Sequence, residues 1–178
     1  GVSTGPDGEI RYIGWQNLGD YEEKPQNVGA ISCEWLPDTL NYCMLRYQGY
    51  EGSIDWSKLP KSLEMFIVKE NRLTGKVFLE DIPSNLTELD ISDNDFAGVV
   101  KLPKNHRNLK KLYIEDNHLV GSIILADLPP TITEFYCGNN ALDGEVHLEH
   151  LPKACRKIRM QRNKLCGTLA LSKLPMAM

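Results

Sequence analysis

A chain of 178 residues is long enough for one domain with a substantial core. Its 42% hydrophobic and 25% charged residues exclude a disordered chain, and a net charge of -4 gives no footing for nucleic acid or an anionic membrane. No apolar run approaches the roughly 18 residues of a spanning helix, so no direct membrane insertion is expected. The opening GVSTGPDGEI has neither Met nor an apolar leader and reads as a trimmed start, with targeting signals outside it.

In chain order, residues 1–35 stand apart. GPDGEIRYIGWQNLGDYEEKP contains no repeat and carries Tyr12 and Trp15. VGAISCEW then puts Gly29, Ile31 and Cys33 in phase with the pattern that begins at Leu36. This segment is expected to be an N-terminal cap with half a repeat, because a stacked array needs its open end covered.

From Leu36 onward one period governs the chain. Leu36-Pro37, Leu59-Pro60, Ile82-Pro83, Leu128-Pro129, Leu151-Pro152 and Leu174-Pro175 fall on a 23-residue spacing, with Asn105-His106 filling the fourth slot. Residues 36–178 therefore read as six 23-residue repeats plus the start of a seventh or a tail. The fifth, eighth and tenth positions are apolar throughout, as in Leu86, Leu89 and Ile91 or Leu109, Leu112 and Ile114. The alternation at the eighth and tenth positions predicts a short strand with one buried face. Asn71, Asn94, Asn117, Asn140 and Asn163 form a polar ladder, with Gln48 in the first repeat. An amide inside a turn can satisfy backbone groups of its own coil and its neighbour, so Asn94 is expected to be structural and Asp93 replaceable. An unbroken glycine column follows, then Val77 and Leu79 or their equivalents, whose alternation predicts a second short strand after each glycine. Prolines at the repeat starts argue against long helices.

The pattern LxxLxLxxNxLxGxVxL, read in residues 86–102 and 109–125, resembles the leucine-rich-repeat family. The LxGxV part is similar to the subtype with a second strand found in plant-type receptors, and the phasing LPxxLxxL is most like repeat proteins of kinetoplastid protozoa. The resemblance implies a right-handed solenoid, α/β by convention, with short parallel strands on a concave face, second strands beyond the glycines and little regular helix. It also implies a recognition scaffold rather than an enzyme, and leaves the partner open.

Individual motifs add little chemistry. Four of the five cysteines sit in core phases (Cys33, Cys43, Cys137 and Cys155), and Cys166 lies beside a repeat glycine. They read as reduced thiols, with a Cys33–Cys43 disulfide as the alternative, and an intracellular setting is favoured over a secreted or cell-surface one. Asn85-Leu86-Thr87 is a glycosylation sequon that keeps a secreted origin open. DISDND lacks the calcium-loop spacing, because position 104 is Lys104 and Gly98 belongs to the repeat. Glu145, His147 and Glu149 share one outward face and read as solvated surface. No nucleophile, phosphate-loop or dinucleotide motif is present, so no cofactor, metal or catalytic residue is expected.

The seventh, ninth and eleventh positions of each repeat face outward and vary. Tyr42, Met44, Met65 and Ile67 make an apolar start, Glu88 and Asp90 an acidic centre, and Tyr113, Tyr136 and Arg159 an aromatic and basic end. These nine residues are the expected partner-binding set for a protein or peptide, since exposed Tyr, Met and Arg are enriched in interface cores. A structural subunit docked by its convex side, with Phe78, Val99 and Ile124, is the alternative, and a ligand-binding ectodomain fragment of a surface protein is another.

Overall fold

The computed structural model describes residues 1–16, 26–168 and 170–176. Part of the expected cap, Leu169 of the last repeat and the final two residues lie outside them.

Each repeat makes one coil whose first strand joins a single sheet. The hairpin of β1 (Val2–Thr4) and β2 (Ile10–Gln16) is antiparallel. β2 then pairs in parallel with β3 (Tyr42–Arg46), and the ladder continues through β5 (Met65–Ile67), β7 (Glu88–Asp90), β9 (Lys111–Tyr113), β11 (Glu134–Tyr136) and β13 (Lys157–Arg159). A second, five-stranded parallel sheet holds β4 (Glu51–Ser53), β6 (Arg72–Gly75), β8 (Asp95–Val99), β10 (His118–Ser122) and β12 (Ala141–Asp143). Among the described residues the only helical elements are 3-10 turns such as Trp56–Lys58 and Leu125–Asp127. The fold is a parallel β-solenoid.

The apolar columns are its core. Leu63, Leu86, Leu109 and Ile132 are fully buried, as are Phe66, Leu89, Leu112 and Phe135 in the next column. Ile31 and Cys33 are buried with them, in the phases expected from the half repeat. The second strands straddle the glycine column: β4, β8 and β10 run one residue past Gly52, Gly98 and Gly121, while β6 ends on Gly75 and β12 before Gly144. At the glycine the chain turns with a positive φ, 92° at Gly121, where a Cβ would also stand 3.2 Å from Val99 Cγ1. Beyond it Val77 and Leu79 still alternate inward around exposed Phe78, so their pattern records side-chain packing without a hydrogen-bonded ladder.

The Asn ladder follows one geometry. Asn94 Oδ1 accepts the Leu73 N–H at 3.0 Å, and its amide donates to the carbonyls of Val68, Ile91 and Ser92, each 3.1 Å away. Asn71, Asn117, Asn140 and Asn163 repeat the pattern one coil at a time. The residue before each is left-handed: Glu70, Asp93, Asp116, Asn139 and Arg162 have φ between 52° and 58°. Asp93 is therefore not a neutral neighbour of Asn94.

The fourth repeat replaces Pro with His106. Elsewhere the turn closes through a carbonyl, as in Leu86 N–H to Pro83 O at 3.0 Å. Here the His106 Nδ1 accepts the Leu109 N–H at 3.0 Å, and Nε2 donates to Pro83 O at 2.9 Å. The imidazole thus bridges two coils where a peptide group closes the others.

Urea denaturation should separate the two turn positions. Asn94→Ala, which strands buried backbone groups, is expected to cost about 1–3 kcal/mol. Asp93→Gly should stay within about 0.5 kcal/mol, whereas Asp93→Ala should cost about 1 kcal/mol, because Ala keeps the Cβ that resists the left-handed region and loses the short polar side chain that lets Asp tolerate it.

Candidate functional site

Parallel pairing without slippage turns the outward positions into rows. Tyr42 stands beside Met65 and Met44 beside Ile67, and the next coil sets Glu88 and Asp90 beside them. Asp90 leads to Tyr113, Tyr113 to Tyr136, and Tyr136 to Arg159. All nine residues expected to bind a partner thus share one face of the larger sheet. The hairpin extends that face, because β2 places Tyr12 beside Tyr42 and Gly14 beside Met44. The Tyr12 ring lies over Gly14, where a Cβ would meet it at 2.4 Å. Nothing in the repeat pattern announced this, since the hairpin is out of phase with it.

The acidic centre is less open than the sequence suggests. Asp90 is only 8% exposed, and its Oδ1 accepts both the backbone N–H and the hydroxyl of Ser92. Burial pushes its carboxyl up against those hydrogen bonds. A short side chain between Ile67 and Tyr113 is shielded by both, which a column position alone does not reveal. Glu88 is paired with Lys111, whose Nζ lies 2.9 Å from Oε2. Burial, and then Asp116, hold the Glu115 carboxyl above its ordinary value.

The aromatic end is tied together by stacking and hydrogen bonds. The rings of Tyr113 and Tyr136 have centroids 4.8 Å apart and tilted by 41°, and the Arg159 guanidinium carbon lies 4.4 Å from the Tyr136 centroid. Both hydroxyls donate to Glu134 Oε2, at 3.0 Å from Tyr113 and 3.2 Å from Tyr136. Lys157 Nζ donates to the other oxygen at 3.1 Å. Burial pushes the Glu134 carboxyl up, but the Lys157 ammonium and the two phenols outweigh it, and its pKa is lowered. Burial and the Glu134 charge raise the Tyr113 phenol strongly. Glu134 was absent from the expected set. Its signal was the spacing, for residues 21 and 23 apart in a 23-residue period are lateral neighbours.

The opposite surface carries Phe78, Val99 and Ile124, exposed by 52%, 60% and 58%. His147 lies between Glu145 and Glu149 at ion-pair distances of 3.6 and 3.5 Å. Among the described residues no group of three or more His, Cys, Asp or Glu side chains converges as a metal site would, and no helix is long and apolar enough to cross a membrane. Asn85 is exposed and donates to the Lys61 carbonyl at 3.1 Å.

No protein-family model matches the sequence, and no curated protein matches it either. Solved structures do. Pollen Receptor Kinase 3 superposes with a TM-score of 0.72 at 18% identity, over 96% of this chain and 83% of that one. The fold is that of a leucine-rich-repeat solenoid. The ectodomain of the Arabidopsis thaliana receptor kinase HAESA, in complex with an extended IDA peptide hormone ligand, gives 0.65 at 21% identity over 74% of this chain. The leucine-rich-repeat ectodomain of the plant receptor kinase GASSHO1/SCHENGEN3 from Arabidopsis thaliana, in complex with CASPARIAN STRIP INTEGRITY FACTOR 2, gives 0.67 at 22% identity over 82% of it. This solenoid spans 23% and 19% of the lengths of those last two chains.

The cysteines are all free, with Cys33, Cys43, Cys137 and Cys155 buried and Cys166 exposed. Burial raises the Cys43 and Cys137 thiols to about 12. A disulfide-exchange reagent at neutral pH should react quickly with Cys166 alone, and unfolding without reductant should release the other four. A total of three would instead identify one disulfide.

Proposed function

We propose that this chain is a non-catalytic recognition module that holds a protein or peptide on its concave sheet. The observation that carries the reading is the ordered row of Tyr113, Tyr136 and Arg159 on that face. It is continued by the apolar cluster of Tyr42, Met44, Met65 and Ile67 two coils away. Aromatic rings fixed in place give large contact area with little further loss of freedom on binding. The peptide-bound state of the HAESA ectodomain supports peptide recognition by a scaffold of this fold. In this reading residues 1–35 cap one end, residues 36–178 supply the repeats, and the repeats are of the plant-like LxGxV subtype most like those of kinetoplastid proteins.

A second reading rests on the exposed Phe78, Val99 and Ile124, which would suit docking of the convex side in a larger assembly. One pair of double variants separates the two. Tyr113→Ala with Tyr136→Ala should weaken the partner recovered by pull-down about thirtyfold or more. Because both tyrosines are only partly buried, the melting temperature should fall by no more than several degrees, on the order of a 1 kcal/mol change. Phe78→Ser with Ile124→Ser should leave affinity intact. Loss of binding in the convex pair, with retention in the tyrosine pair, would transfer the function to the other face.

A further inference from the structure

The charges of the concave face are not equally available to a partner. Along the seventh-position column, Glu88 and Glu134 are each met by the lysine of the next coil, Lys111 and Lys157. Glu134 receives two further donors, the Tyr113 hydroxyl from the coil before and the Tyr136 hydroxyl from its own strand. One carboxylate therefore ties three consecutive coils together. A phenol held at its hydroxyl as well as its Cβ cannot swing, so both rings are fixed before anything binds. A phenol donating to a carboxylate also has an electron-richer ring, which favours the Arg159 guanidinium stacked on Tyr136.

Arg159 is exposed and donates to no described residue, so its N–H groups remain available to a partner. Arg156, Lys157, Arg162 and Lys164 lie on the same coil, which makes this end of the chain rich in basic residues. The two glutamates nearest to it in the seventh column are already paired with lysine, which leaves Glu115 as the carboxylate whose charge Arg159 feels. Burial holds the Glu115 carboxyl above its ordinary value, which lessens its competition for the guanidinium, and a guanidinium edge matches an incoming carboxylate with two parallel hydrogen bonds.

On the reading that the concave sheet binds the partner, we propose that Glu134 is a positioning residue. It sets Tyr113, Tyr136 and Arg159 as a rigid subsite, and that subsite takes a carboxylate side chain next to an aromatic or aliphatic one on an extended peptide. The rings contact the apolar neighbour, and the Arg159 edge holds the carboxylate. Glu134 touches the tyrosines and Lys157, not the peptide.

Two measurements test this. The first needs no partner: near-ultraviolet circular dichroism at neutral pH, with Tyr113→Phe and Tyr136→Phe used to assign the tyrosine bands. Glu134→Gln keeps one acceptor but loses the charge-assisted hydrogen bonds that hold both phenols, so those bands should weaken while the far-ultraviolet spectrum stays unchanged. Unchanged tyrosine bands would overturn the positioning role.

The second uses peptides selected on the wild-type protein from a displayed random library. Selected peptides should carry Asp or Glu beside an aromatic or aliphatic residue. Arg159→Gln, or amidation of the peptide acid, should each weaken binding about tenfold, and the two together little more, as for partners in one contact. Glu134→Gln should weaken the same peptides about tenfold with the fold intact. Peptides without an acid, or full affinity in Glu134→Gln while Tyr113→Ala with Tyr136→Ala loses it, would refute this inference and leave concave binding standing. Binding abolished by the Phe78 and Ile124 pair, and not by the tyrosine pair, would refute both.

Discussion

The buried asparagine amide is the interaction on which the rest of the solenoid depends. A chain that turns every 23 residues must point backbone N–H and C=O groups into its own interior, and an unsatisfied buried group costs about 1–3 kcal/mol. Asn94 answers this by accepting from Leu73 and sharing its two N–H hydrogens among three carbonyls, two in its own coil and one in the coil before. Because each amide reaches back one coil, the spacing and phase of every coil are set by its neighbour. The Gln48 side-chain amide, in the first full coil, donates among the described residues to its own Arg46 and Tyr47 carbonyls, while the Gln48 backbone N–H donates to Asn71 Oδ1 of the next coil. The left-handed residue before each Asn aims the amide inward, so turn and ladder are one device.

That fixed phase makes a surface out of variable letters. With strands about 4.8 Å apart, residues one period apart become lateral neighbours, and Tyr113, Tyr136 and Arg159 can stack only because Asn117, Asn140 and Asn163 hold their coils in step. The Glu88–Lys111 and Glu134–Lys157 pairs, partly solvated, add little to stability. Their larger effect is to pair charges across the face, which on the proposed reading leaves Arg159 as the charged group a partner meets.

How much of this was legible in the sequence follows from what burial demands. The core columns were legible because a buried position in a stacked coil tolerates only apolar residues, and the Asn column because the turn interior tolerates only a compact amide. The second ladder was legible only in part, since it begins before each glycine, while the alternation of Val77 and Leu79 beyond it records packing. Asp90 was placed on the concave face but not at its depth, because a short carboxylate turned onto Ser92 between two larger register neighbours is buried where a longer one would reach solvent. The role of His106 was hidden by chemistry: an imidazole nitrogen replaced a carbonyl that the repeat pattern could not show missing. Glu134 is harder to single out because only Lys157 shares its column, whereas the two phenols that bond it lie in the adjacent ninth-position column.

The central claim is that this solenoid recognises its partner through the aromatic end of its concave sheet. Chemical-shift mapping of the labelled protein, on addition of a peptide selected for binding it, addresses that claim most directly. The account predicts that the largest backbone amide changes fall on Lys111–Tyr113, Glu134–Tyr136 and Lys157–Arg159. Changes concentrated instead on Asp95–Val99 and His118–Ser122 would contradict it.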